Sequence, residues 1–336
     1  MTKIISNRSE LLFMYDIKDG NPNGDPLDDN KPRIDEQTGF NLVTDVRLKR
    51  TIRDYFYDIK KKEIFVRQIS DKEGYIQDAK LRAEDFLKKA SGESLNKKKI
   101  TISEMIEIID NNILSECIDV RLFGATIPIE RDINDKGSIT HTGPVQFKIG
   151  RSLHKVYIKH FKGTGAFADK YTDKKKSRQQ TFREEDFLLY SFICFYGIIN
   201  ENAAKETKLT EKDVECLLDG IWNGTKNLIS RSKVGQVPRL LLKVNYTENN
   251  FHIGDLNNLV IIKSDLVDDE IRDISEFKLD ISKLITKLNH NKKTIKNIEY
   301  FIDKRMKIIS NDKEDLLEIH LKNIGIEVME LNLRCQ

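Results

Sequence analysis

Residues Phe187 to Ile199 read FLLYSFICFYGII, an almost continuously apolar run. Such a run suits a central strand covered on both faces or a buried helix, and its aromatic and β-branched content selects the strand. The chain must therefore build a sheet around it. With 336 residues it can bury a sizeable core, as one large domain with insertions rather than two.

A second unit spans Leu11 to Ile59. A short apolar run, Leu11 to Tyr15, leads into Gly20-Asn21-Pro22-Asn23-Gly24-Asp25-Pro26. Proline removes backbone donors there, and asparagine and glycine accept positive φ, so the strand stops in a long turn. Leu48, Ile52, Tyr55, Phe56 and Ile59 then recur at helical spacing, with Thr44 or Asp45 placed to cap the first turn. At 100° per residue, Lys49, Arg50 and Arg53 share one flank of this helix and Arg47 stands apart on the other side. Strand, polar turn and basic helix together suit a phosphate backbone better than a small uncharged ligand, because guanidinium and ammonium groups contact phosphate oxygens without reading bases.

Overall charge adds little to this. The 57 Lys+Arg nearly cancel 54 Asp+Glu, for a formal net charge of +3, so a nucleic-acid surface must come from local segregation. The four cysteines, Cys117, Cys194, Cys216 and Cys335, form no C-x-x-C pair and are expected to be reduced, with neither zinc nor a disulfide framework. No run approaches the roughly 18 apolar residues of a membrane span, and a cytoplasmic protein is expected.

Along the remainder of the chain, Ile64 to Val66 reads as a short β-like run. Residues 77–90 and 102–114 read as helices of an insertion. Ile118 to Gly124 alternates in the strand manner. Residues 125–151 lose periodicity and read as a long projecting loop or hairpin with its tip at Asn134 to Gly137. Leu153 to Phe161 reads as a strand, and the basic run Lys174 to Arg178 as a solvated segment. Thr210-Glu211-Lys212-Asp213 resembles a capping box at the start of a helix carrying Val214, Leu217, Leu218, Ile221 and Trp222. A basic turn, Ser230 to Lys233, leads to a strand at Arg239 to Tyr246. About three helices and a closing strand near Ile326 to Leu333 follow. The resulting order, βαββαβ with inserts, predicts an α+β fold with a ferredoxin-like, RNA-recognition-like antiparallel sheet: two helices cover one face and the other stays free.

Enzyme signatures are weak. Asp19 to Asp25 matches the first seven positions of an EF-hand loop, but Asn30 stands where the bidentate glutamate belongs, so a structural turn is the better reading. Asp16, Asp19, Asp25, Asp28, Asp29 and Asp35 could hold Mg²⁺ only if they converged, and solvation of a loop explains them more simply. The six histidines form no H-E-x-x-H pair, and there is no glycine-rich phosphate loop. No cofactor, no metal and no catalytic residue is expected.

Several of these stretches resemble the Cas7 backbone subunits of type I CRISPR interference complexes, especially the type I-B (Csh2) branch. They are the GNPNGDP turn, Asp45-Val46-Arg47-Leu48-Lys49-Arg50 with Ile52-Arg53, Asp119-Val120-Arg121-Leu122-Phe123-Gly124-Ala125, and Gly143-Pro144-Val145-Gln146-Phe147. The likeness covers the N-terminal half, continues faintly to about Tyr246, and is lost over the last ninety or so residues. It implies a single hand-shaped domain over 1–336: an RNA-recognition-like palm, a helical finger insertion at 70–115, a thumb hairpin at 125–151, and a C-terminal extension at 249–336 packed on the palm. It also implies CRISPR RNA (crRNA) as ligand, bound through its spacer backbone without regard to sequence. The implied partners are the target DNA strand paired to that guide, further Cas7 copies in a filament, Cas5, Cas6 and the large Cas8 subunit. Thr44, Lys49, Arg50 and Arg53 would hold guide phosphates, and Asn21, Asn23 and Arg33 would line the adjoining palm edge. Arg121, Phe123 and Gln146 would shape the thumb base and touch displaced nucleotides, with Arg231 across the groove. The RNA-stacking pattern K/R-G-F/Y-G/A-F is absent, so stacking on the sheet face is not expected. The rival reading is a type III relative in which a thumb aspartate, Asp132 or Asp135, cleaves target RNA with Mg²⁺.

Overall fold

A computed structural model of the chain describes residues 3–70, 74–91, 100–132, 134–164 and 182–334. The chain opens with strand β1 (Ser9–Gly20), passes through the turn and a short strand β2 (Phe40–Val43), and enters helix α1 (Asp45–Asp54). Thr44 caps α1, its side chain accepting from the Arg47 N–H. A π-turn at Tyr55–Ile59 follows, and its extra residue per turn rotates the stripe, so Ile59 is exposed where the spacing places it inside.

Next come α2 (Ala79–Ser91), α3 (Ile102–Glu116) and α4 (Ile118–Phe123). The last corrects the expected strand at Ile118–Gly124. Five of its six residues are buried, so alternation carries no inside–outside signal there. Gly124, at φ +70, ends it beneath the His141 carbonyl, where a Cβ would come within 2.2 Å of that oxygen. Ile64 to Val66 forms no strand either; the Phe65 and Val66 N–H groups donate to Asp119 instead of to a ladder.

The chain then forms a hairpin of β3 (Gly124–Asp132) and β4 (Asp135–Thr142), closing at the Asp132–Asp135 pair rather than at Asn134 to Gly137. It does not project freely. Ile127, Ile129 and Ile139 join Phe86, Met105, Ile109 and Ile113 of the helices in one buried cluster. β5 (Val145–Phe147), β6 (Gly150–Lys155) and β7 (Ile158–Thr164) lead to β8 (Phe182–Ile199), so the strand expected over Leu153 to Phe161 is split in two. The basic run at 174–178 lies outside the described residues.

α5 (Glu201–Thr207), α6 (Glu211–Lys226) and β9 (Val237–Tyr246) follow; the Thr210–Asp213 capping box forms as the spacing predicts. The remainder holds α7 (Ser282–His290), β10 (Ile295–Ile302), α8 (Leu317–Lys322) and β11 (Val328–Glu330), with a small four-stranded sheet beside them.

The main sheet has the order β11-β10-β9-β1-β8-β6-β2, extended by Ile34–Asp35, with β5 and β7 also on β8. β1 lies antiparallel between β8 and β9, pairing Leu11 with Gly197 and with Lys243. Leu11, Phe13, Tyr15, Ile193 and Phe195 face α1 and α6. Leu12, Met14, Phe192, Leu240 and Leu242 face the other way, where Leu256, Ile274, Phe277, Leu284 and Leu288 cover them. The second sheet face is therefore occupied, correcting the expectation that it stays free. The C-terminal residues also add β10 to the sheet itself. Cys117 and Cys194 are buried thiols. Cys216 is disulfide-bonded, contrary to the expectation of reduced cysteines, and Cys335 lies outside the described residues. Among the described residues no helix is long and apolar enough to cross a membrane.

Candidate nucleic-acid interface

The turn after β1 is a packed loop, and its polar groups are committed mostly to holding its shape. Asn21 donates its backbone N–H to the Ser232 carbonyl at 2.7 Å and its side-chain amide to the Asn30 carbonyl at 2.7 Å. Its Oδ1 is buried without a hydrogen-bond partner. Asn23 Oδ1 accepts from both the N–H and the hydroxyl of Thr44, at 2.9 Å each, and so fixes the start of α1. Arg33 pairs with Asp25 at 2.9 Å.

Four of the sequence-predicted residues come together on the outer flank of α1. Phe123 lies under two cations, 5.8 Å from Lys49 Nζ and 5.2 Å from the Arg53 guanidinium. Gln146, exposed on β5, accepts from Lys49 Nζ at 3.1 Å. Each cation there already has a carboxylate: Lys49 with Asp45 at 3.1 Å, Arg53 with Asp119 at 3.0 Å, and Arg50, mostly exposed, with Asp54 at 2.6 Å.

The pairs differ in kind. Asp119 is fully buried and accepts from two backbone N–H groups besides Arg53, so that arginine joins α1 to the helical insert. Arg50–Asp54 is a surface pair that a phosphate could replace at little cost. Arg121, on the same short helix as Phe123, is engaged elsewhere. It makes a bidentate pair with Asp213 at 2.7 and 3.1 Å and donates to the Leu114 carbonyl, bracing α3 against α6. The capping carboxylate of Asp213 is held below its usual range, against burial, by Arg121 and by its Thr210 hydrogen bonds. Arg231 lies elsewhere again, on the turn before β9, paired with Glu185 at 2.8 Å.

Among the described residues, no carboxylate lies within ion-pair distance of two further cations outside the sequence-predicted set, Arg47 and Lys233. Arg47 extends from the opposite flank of α1 and donates to Thr51 Oγ1 at 3.0 Å, while its Nε is buried without a partner. Lys233 donates to the Asn21 carbonyl at 3.1 Å. Burial, followed by the charge of Arg47, pushes the Lys233 ammonium down to about 8, and burial lowers the Arg47 guanidinium too. Helical phase singled out Arg47 as standing apart, and Lys233 closed the basic turn. Their sharing of one cleft is tertiary and leaves no local trace.

The acidic residues of the N-terminal loop do not converge. Asp16 meets Arg239, Asp25 meets Arg33, Asp28 meets Lys31, and Asp35 meets Arg151. Among the described residues no group of three or more His, Cys, Asp or Glu side chains is arranged to hold a metal. In the hairpin, Asp135 is paired with Arg131 at 2.5 Å.

Comparison with known proteins places the chain. Residues 7–282 match the family model described as CRISPR-associated protein Cas7. A CRISPR-associated protein Cas7 of Haloferax volcanii is 30% identical over 355 residues, covering 97% of this chain and 97% of that relative. A chain from a solved CRISPR RNA-guided surveillance complex, pre-nicking, superposes with a TM-score of 0.52 at 11% identity, covering 95% of this chain and 99% of that one. Another, from a CRISPR RNA-guided surveillance complex, gives 0.50 at 12% identity over 96% and 94%. At such identities the two structures speak for the fold alone.

Proposed function

The chain belongs to the Cas7 family of CRISPR-associated proteins, and from that premise we propose that it is a non-catalytic backbone subunit of a type I, type I-B-like interference complex. In this reading it binds the spacer of a crRNA through phosphates, irrespective of sequence, and polymerises along it in the cytoplasm. The guide then pairs with a target DNA strand, and Cas5, Cas6 and the large Cas8 subunit complete the assembly. The β1–α1–β6–β8–α6–β9 path, with strands in the order β9-β1-β8-β6, supports a ferredoxin-like, RNA-recognition-like palm. α2 and α3 correspond to fingers and the β3–β4 hairpin to a thumb.

The observation that carries this reading is the convergence of Lys49, Arg53, Phe123 and Gln146 beside the capped start of α1. It brings cationic groups and an exposed amide together on one flank of α1, with the buried Phe123 ring beneath the cations. A protein that must accept every spacer needs backbone contacts of this type rather than base-edge readout.

The test is binding of guide RNAs with unrelated spacers. Lys49→Gln combined with Arg50→Gln is expected to weaken all of them alike. It should also reduce the slope of log affinity against log salt by about 0.7 for each lost phosphate contact. Weakening confined to some spacers would refute backbone binding. Incubating the assembled complex with complementary RNA and Mg²⁺ tests the absence of catalysis: regular cleavage that disappears in Asp132→Ala or Asp135→Ala would establish the type III alternative.

A further inference from the structure

Arg47 and Lys233 share one cleft, with a cavity of about 480 Å³ between α1 with its π-turn and the chain from Asn227 to Lys233. That volume lies in the range of small-ligand sites, roughly 300–1,000 Å³. We infer that these two side chains form an anion site that holds a phosphodiester of the RNA backbone, a contact distinct from the Lys49–Arg53 flank. The RNA part of this inference rests on the function proposed above.

Unlike Lys49, Arg50, Arg53, Arg33, Arg121 and Arg231, these two cations form no ion pair with a carboxylate among the described residues. Two like charges partly withdrawn from water without a paired carboxylate are costly, and a bound oxyanion lowers that cost. The cations are also held in place. Thr51 braces Arg47 and in turn donates to the Arg47 carbonyl at 3.1 Å. The turn carrying Lys233 is closed by N–H bonds from Lys233 and Val234 to the Ser230 carbonyl. It is pinned to the β1 loop through Asn21 and Ser232. Preorganised donors of this kind lose little freedom on binding.

The same cleft is lined by Asp54, which is paired with Arg50 and whose charge also favours the Arg47 guanidinium, and by exposed Asp58. Tyr55, on the same wall, has its hydroxyl pKa raised by burial and by Asp219, so it stays neutral at working pH.

Because burial and the Arg47 charge push the Lys233 ammonium down to about 8, binding of an anion that favours its charged form is coupled to uptake of a proton. Affinity should therefore fall as pH rises through 8. Lys233→Arg, charged throughout, should keep the affinity and lose that decline.

The experiment uses the full-length chain with two probes, inorganic phosphate and single-stranded RNA. It follows the Lys233 side chain by NMR and RNA affinity by titration. Both probes are expected to shift the Lys233 signal saturably. Arg47→Gln and Lys233→Gln should each lower RNA affinity at least fivefold for every sequence, with thermal unfolding checking the fold. If wild type binds RNA and neither variant weakens it, the anion site is wrong and the proposed function survives. If phosphate shifts Lys233 but RNA does not bind, the anion site stands and the guide-binding reading fails. If neither probe moves Lys233, the inference is overturned. Should Arg47→Gln fail to fold, Lys233→Gln and Lys233→Arg decide the matter.

Discussion

The two flanks of α1 carry arginines that look equivalent in sequence and differ in what surrounds them. Arg53 meets a fully buried Asp119 and the face of Phe123, and its charge is neutralised within the chain. Arg47, on the opposite flank, has no carboxylate within ion-pair distance among the described residues and shares its cleft with a second desolvated cation. A cation matched to a fully buried carboxylate, as Arg53 is, contributes to stability, whereas one in a surface pair such as Arg50–Asp54 can exchange its partner for a phosphate at little cost. One left unmatched in a formed cleft marks a place where the fold awaits something else.

The sharpest way to break that contrast is Arg53→Ala. It leaves Asp119 buried with only the Phe65 and Val66 N–H groups. Removing one member of a buried pair costs about 3–5 kcal/mol, and the two remaining donors place this case near the lower figure. Chemical denaturation should show that loss, and Arg53→Lys should restore part of it. A stable Arg53→Ala variant would mean that this arginine is as free as Arg47.

Next in size is the seat of α1 on α6. A Cβ at Gly224 would lie 3.1 Å from Tyr55 Cβ and 3.3 Å from the Thr51 carbonyl, so α1 would have to give way by a few tenths of an ångström. Gly224→Ala is expected to cost about 1–3 kcal/mol by overpacking. Since Thr51 braces Arg47, the same change should disturb the cleft flank more than the Arg53 flank. RNA affinity measured beside stability would show whether the two flanks separate in this way.

How much of this was legible depended on whether the signal was local. Thr44, the Thr210–Asp213 box and the stripe Leu48–Ile52–Phe56 are written within a few residues, and the structure follows them. The apolar run at Phe187–Ile199 demanded cover on both sides, and the expectation of a free sheet face conflicted with that demand. The cover comes from Leu256 to Leu288, where short helices and strands alternate without a clean period. Ile118–Phe123 misled because a helix buried all round has no face to alternate. At the site, charge was visible and pairing was not. Asp119 is 66 residues from Arg53 and Asp213 is 92 from Arg121, so nothing near either arginine announces its partner.

The smallest effect separates the two flanks by sign. Arg50–Asp54 is an exposed i,i+4 pair, and Arg50→Gln should change stability by no more than about 0–1 kcal/mol, in the destabilising direction. Lys233→Gln should do the opposite at pH 7. The folded chain holds the Lys233 ammonium less well than the unfolded chain does, so its charge subtracts from stability wherever it is protonated in both states. Between about 8 and the ordinary value of 10.5 the unfolded chain binds more proton, and wild-type stability should rise with pH across that window. Lys233→Gln should remove this rise while starting from a higher unfolding temperature at pH 7, and saturating phosphate should lift wild type toward the variant. A variant less stable than wild type at pH 7 would show that Lys233 is a matched structural cation like Arg53, and the contrast between the flanks would be lost.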